Sequence, residues 1–78
     1  MLGNIEYTMN DLFAQLGLDN SDAAIEQFIA THQLDEDTQL DNAPFWNDAQ
    51  QGFIREEWRK DAVWSLILDE LNARLHGE

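Results

Sequence analysis

The segment DAVWSLILDELNARLHG, residues 61–77, has the strongest periodicity in the chain and decides its fold class. Its apolar residues recur every three or four positions, as on one face of an α-helix: Val63, Trp64, Ile67, Leu68, Leu71 and Leu75. Asp61 precedes this stripe as a candidate N-cap, and Gly77 follows it as a stop signal. The segment therefore predicts a helix over about residues 62–76 that buries one broad face.

Three shorter segments upstream show the same periodicity, each after a residue that can cap a helix. Thr8 precedes the first, and Gly17 can adopt the left-handed conformation that ends it. Asn20 or Ser21 is the candidate cap of the second. Asn47 begins the third, with a glutamine three residues later at capping-box spacing. The three helices are expected over about residues 9–16, 22–32 and 48–60.

The connection at residues 33–44 has neither a helical nor an alternating period. Leu34 and Leu40 are expected to point inward and hold this connection against the core, and Pro44 favours extended backbone before it. No segment alternates as a strand, and no repeat of 20–50 residues is present. We therefore predict an all-α fold, a compact four-helix domain in which residues 1–78 form a single unit.

The net charge restricts the partners of the protein. Sixteen acidic residues against four basic ones give a formal charge of −12. Such a charge repels phosphate backbones and anionic membrane surfaces, so we expect no nucleic-acid partner and no membrane partner. The chain has no cysteine and its first residues lack the pattern of a signal peptide. The expected location is the cytoplasm.

The residue types that catalysis requires are not grouped in the sequence. The candidate nucleophiles are the hydroxyl groups of Ser21, Ser65 and Tyr7. None of them lies beside a base or in a known nucleophile motif. His32 and His76 are the only histidines, and neither has a histidine or cysteine three or four positions away. His32 is expected to bond a carbonyl at the end of its helix, and His76 to lie in a frayed terminus. We predict no enzyme, no cofactor and no zinc site.

An acidic loop raises the question of a hard cation. Oxygen-bearing side chains alternate along it, as in a calcium loop: Asp35, Asp37, Gln39 and Asp41. However, the position that requires glycine is Leu40, and the position that requires a bidentate glutamate is Trp46. A solvated acidic loop is therefore favoured, and no metal site is predicted.

Aromatic residues are dense around the third helix. Phe45, Trp46, Arg55 and Trp58 combine the residue types that are enriched at interaction hot spots. Aromatic residues at helical spacing are more often core, so Trp46 and Trp58 are candidates for either role. Glu57 lies beside Trp58 in the same apolar stripe, where an unpaired carboxylate is costly. The predicted partner-binding residues are Phe45, Trp46, Arg55 and Trp58.

Several short sequence segments, in this order along the chain, resemble those of a known bacterial family: LFAQLGL (12–18), DAAIEQFIATH (22–32), APFW (43–46), AQQGFIRE (49–56) and DELNARL (69–75). The family is domain of unknown function 2789. The resemblance implies a small, mostly cytoplasmic bacterial protein. It supplies no activity, cofactor or functional residue.

Function therefore stays open between three hypotheses. The first is an acidic interaction module without catalytic activity that binds another protein or a second copy of itself. The second is a protein that binds a cation or small ligand through the acidic loop at residues 35–41. The third is a mimic of nucleic acid, which requires carboxylates spaced like phosphates on one face.

Overall fold

The computed structural model describes residues 7–60 and 63–77. The regular secondary structure of these residues is helical and includes no strand, which confirms the predicted all-α fold class. Four α-helices and one 3₁₀ turn follow one another: α1 (Met9–Gln15), α2 (Asp22–Thr31), the 3₁₀ turn (Leu40–Asn42), α3 (Asp48–Lys60) and α4 (Ser65–Arg74). No helix among the described residues has the length and apolar character needed to cross a bilayer.

The predicted caps are confirmed at three helix starts. The Thr8 hydroxyl accepts a hydrogen bond from the Asp11 backbone N–H, and the Asp11 carboxylate accepts one from the Thr8 N–H at 2.8 Å. At α2 a single bond forms the cap, in which the Ser21 hydroxyl accepts from the Ala24 N–H at 3.1 Å. The Gln50 N–H donates to the Asn47 side-chain oxygen at 2.8 Å, and the Asn47 N–H donates to the Gln50 side-chain oxygen at 2.9 Å, which completes the capping box of α3. These bonds satisfy backbone donors that the first turn of a helix leaves free.

The fourth helix is shorter than its apolar stripe. It begins at Ser65, and Val63 lies in the preceding turn with an exposed fraction of 56%. The stripe therefore does not extend to Val63, because the backbone is not yet helical there. The proposed cap Asp61 lies outside the described residues. Gly77 has a φ of +86° just after the helix, in the left-handed region expected of a residue that ends one.

One hydrophobic core joins all four helices. Helix α3 packs on α4 and on the 3₁₀ turn, while α1 packs on α2 and α4. The largest fully buried side chains come from α1, the 3₁₀ turn, α3 and the α4 region: Leu12, Phe13, Leu40, Ile54, Leu68, Leu71 and Leu75. Helix α2 contributes Ile25 and Ile29, which are also buried.

The connection before α3 is held against the core, as predicted. Leu40 is fully buried, Leu34 is partly buried, and the Leu34 N–H donates to the Leu75 carbonyl at 2.8 Å. The two ring nitrogens of His76 lie 2.6 Å from the Asn72 carbonyl oxygen and 2.7 Å from that of Thr38. The expectation that His76 frays is therefore wrong, because its ring fastens the connection to the end of α4. His32 bonds the Phe28 carbonyl at 2.8 Å, as expected.

Gly52 lies within α3, where its lack of a side chain has no packing reason. A Cβ built there meets no heavy atom within 4 Å beyond the helix's own backbone, so no close approach of another segment requires the glycine. Gly52→Ala should therefore raise the free energy of unfolding by about 0.5–1 kcal/mol, because alanine restricts the unfolded chain and favours the helix. Urea unfolding followed by circular dichroism measures the change. Gly17→Ala is the control: its φ of +75° strains alanine, so stability should fall. A destabilising Gly52→Ala would contradict the structure.

Candidate functional site

A concave surface of the described residues is the groove between the 3₁₀ turn and α3. Its volume is about 620 Å³, and its lining combines two guanidinium groups, one indole, one amide and one carboxylate: Arg55, Arg59, Trp58, Gln39 and Asp41. Both charge signs and one aromatic ring therefore meet in a cleft that is open to solvent.

The 3₁₀ turn forms a firmly attached wall of this groove. The buried Leu40 side chain anchors it, and the Leu40 N–H donates to the Asn72 side-chain oxygen at 3.0 Å. From α3, the Gln51 amide donates to the Asp41 carbonyl at 2.9 Å. These contacts hold the turn to both α3 and α4, so the groove is preformed.

The opposite wall is one face of α3. Arg55, Trp58 and Arg59 are spaced i, i+3 and i+4, which places them side by side on a helix. The Arg55 guanidinium contacts the Asp41 carboxylate at 3.3 Å and donates to the Asn42 side-chain oxygen at 2.7 Å. It therefore links the two walls across the groove.

The indole of Trp58 is oriented by α4. Its Nε1–H donates to the Asp69 carboxylate at 2.7 Å, and the side chain is half-buried. This bond limits rotation of the ring, so the part of Trp58 that lines the groove is a fixed aromatic surface. A fixed ring loses little conformational entropy when a partner packs on it.

Positive charge is concentrated at this site. Three of the four basic residues of the chain lie between positions 55 and 60, and two of them line the groove. Arg55 is engaged by Asp41, whereas exposed Arg59 has no ion pair or hydrogen bond to any part of the chain that the structure describes. Arg59 therefore offers an available guanidinium within a strongly acidic protein.

Asp41 has an unusual environment. Its Oδ2 contacts Arg55, while its Oδ1 is buried and has no hydrogen-bond partner among residues 7–60 and 63–77. A buried acceptor without a donor costs free energy. Among the described residues, only one of the two Asp41 carboxylate oxygens is therefore compensated, by Arg55.

The structure separates the four predicted partner-binding residues. Arg55 and Trp58 line the groove, whereas Phe45 and Trp46 pack toward α2. Trp46 is only 9% exposed, and its Nε1–H donates to the Leu40 carbonyl at 2.8 Å. Trp46 therefore belongs to the core, which leaves it little surface for a partner. Half-buried Phe45 packs edge-on against Phe28 at a ring-centroid distance of 5.6 Å.

Sequence inspection missed Arg59 as a site residue. The signal was present, because Arg59 follows Arg55 by four positions and therefore shares its face of α3. The sequence indicates Gln39 only as an oxygen-bearing member of the acidic loop. Its place in the groove depends on how the connection folds back on α3, which no local pattern reveals.

The acidic loop does not converge on one point. Asp35 and Asp37 are exposed, and Asp41 is turned toward Arg55. In the described ranges, no group of three or more histidine, cysteine, aspartate or glutamate side chains is arranged to hold a metal ion.

Comparison with known proteins places the chain in a family without assigning a function. Residues 2–75 match the model of the family described as "Protein of unknown function (DUF2789)". The fold is similar to the solution NMR structure of protein CV0237 from Chromobacterium violaceum, with a TM-score of 0.82 and 41% sequence identity over 90% of this chain and 89% of that one. No match is found among curated proteins.

Proposed function

The chain belongs to the DUF2789 family of proteins of unknown function, and from this premise we propose that it is a non-catalytic protein-interaction module. Its contact surface is the groove between the 3₁₀ turn and α3, and its ligand is a carboxylate-bearing segment of a partner protein. The available guanidinium of Arg59 beside the fixed ring of Trp58 is the observation that carries this proposal.

The chemistry of the lining supports a peptide ligand. Arginine offers paired N–H donors that match a carboxylate, and tryptophan and arginine are the residue types on which interface energy concentrates. The side-chain amide of Gln39 adds a donor and an acceptor for peptide groups. The site is open to solvent, so each charge pair contributes only about 0.2–1 kcal/mol and the affinity of a short segment is weak.

The charge of the whole protein opposes an acidic ligand at long range. At about 0.15 M salt the screening length is about 8 Å, so distant carboxylates contribute little while direct contact with Arg59 persists. A ligand with one carboxylate is therefore preferred to a highly acidic one. The same groove, which includes Gln39 and Asp41 of the acidic loop, is also the place where a small ligand would bind. We place this role in the bacterial cytoplasm, in agreement with the family resemblance.

Titration with the peptide acetyl-Gly-Glu-Gly-amide at 0.15 M salt tests the proposal. We expect the indole N–H signal of Trp58 to shift in ¹H–¹⁵N NMR spectra, and Arg59→Gln to weaken binding about 2- to 5-fold, since one exposed charge pair is lost. Lys60→Gln is the matched control, because it removes the same charge from the next residue, which does not line the groove. Equal loss in both variants, or no shift at Trp58, would refute the proposed site.

A further inference from the structure

A second cleft, between α1, α3 and the turn before α4, has the opposite chemistry to the groove. Its volume is about 400 Å³, and aromatic, acidic and small or amide side chains line it: Tyr7, Phe53, Trp64, Asp11, Glu57, Ala14 and Gln15. None of these lining residues is basic. The cleft thus combines two carboxylates with three aromatic rings.

The aromatic part of this cleft is a packed unit. The rings of Tyr7 and Trp64 are stacked with centroids 4.2 Å apart, and the Phe53 ring packs edge-on against Trp64 at 5.7 Å. Trp64 is buried beneath this cluster, whereas Tyr7 is exposed. One face of the Tyr7 ring is covered by Trp64, so among the described residues its other face is the one that a ligand can contact.

The two carboxylates are held at the same cleft. Asp11 is fixed by the capping box of α1, because its Oδ2 accepts from both the N–H and the hydroxyl of Thr8 at 2.8 and 3.1 Å. Glu57 has a side chain only 20% exposed, and Lys60 is its ion-pair partner at 3.4 Å. The sequence places Glu57 in an apolar stripe, where an unpaired carboxylate is costly. The 3.4 Å contact with the mostly exposed Lys60 amine offsets that cost only in part.

We infer that this cleft binds the guanidinium group of an arginine side chain presented by a basic partner protein. A planar cation stacks on an aromatic face and donates paired hydrogen bonds to carboxylates, which are the two features that meet here. Guanidinium suits the site better than ammonium, because it is more weakly hydrated and its donors are planar. The net charge of −12 attracts a basic partner and opposes a second copy of the chain.

This inference concerns a different surface from the groove, so either can fail alone. The probe is the peptide acetyl-Gly-Arg-Gly-amide, added to the full chain and followed by NMR. We expect shifts at the Gln15 side-chain amide and the Trp64 indole. Glu57→Gln should weaken binding about 3- to 10-fold, because the ligand loses a charged hydrogen-bond acceptor. Tyr7→Ala should weaken it similarly, whereas Tyr7→Phe keeps the ring and should stay within about 2-fold.

The matched control is Glu56→Gln. It removes the same charge from the neighbouring position of α3, but Glu56 is exposed and does not line the cleft. Equal weakening by Glu56→Gln and Glu57→Gln would show non-specific attraction to an acidic surface and would overturn the inference. Tighter binding of acetyl-Gly-Lys-Gly-amide than of the arginine peptide would overturn the assignment to guanidinium. Dispersed NMR spectra of each variant establish that it is folded.

Discussion

Leu40→Ala is expected to lower the free energy of unfolding by about 2–5 kcal/mol, the range for a buried leucine that leaves a cavity. Leu40 is fully buried although it lies in the connection between α2 and α3, not in an α-helix. A domain of this size has a total stability of only about 4–12 kcal/mol. The variant should therefore unfold at a markedly lower temperature, by about 4–8 °C for each kcal/mol lost. Urea and thermal unfolding followed by circular dichroism measure both quantities.

Leu66→Ala provides the matched control for this substitution. It makes the same chemical change in α4, but Leu66 is 80% exposed. Its removal should alter stability by less than about 0.5 kcal/mol. If Leu40→Ala were as mild as Leu66→Ala, the connection would not be part of the core. The groove, whose wall depends on the same turn, would then not be preformed.

Leu40 also illustrates what local sequence patterns predict well. A leucine in a polar, non-periodic segment gains free energy by leaving water, so the sequence predicts that Leu40 is buried. Likewise, α3 was predicted over residues 48–60 and is observed over Asp48–Lys60, because its cap and its period agree. Helix starts are set by bonds between residues three positions apart, such as Thr8 and Asp11, so the sequence contains them directly.

The features that were missed depend on contacts between distant residues. The ring of His76 is held by the Thr38 carbonyl, 38 positions earlier, so nothing near the terminus indicated its order. The groove requires the 3₁₀ turn to lie against α3, and Arg55 contacts Asp41 only in that arrangement. Residue types alone identified Arg55 and Trp58 as site candidates. Residue types could not separate these two from Trp46, because aromatic residues at interfaces and aromatic residues in cores are of the same types and recur at the same helical spacing.

Trp46→Ala should lower the free energy of unfolding by about 3–5 kcal/mol, as expected for a large aromatic side chain removed from a core. The ring is buried, is stacked toward Phe28 at a centroid distance of 5.8 Å and holds the Leu40 carbonyl through its Nε1–H. Trp46→Phe separates these contributions, because it keeps most of the packing and removes the donor. The Leu40 carbonyl still accepts from the Ala43 N–H at 3.2 Å. The loss of one hydrogen bond should therefore cost only about 0.5–1.5 kcal/mol.

Trp58→Phe is the informative comparison, since both substitutions remove an indole donor. Trp58 is half-buried and donates to the exposed Asp69 carboxylate, which water can solvate when the donor is lost. We expect its effect on stability to be below about 1 kcal/mol, and its effect on binding of the glutamate peptide to exceed that of Trp46→Phe. If Trp46→Ala left urea unfolding unchanged but abolished peptide binding, Trp46 would be an interface residue. Its placement in the core, and the groove as the contact surface, would then both be wrong.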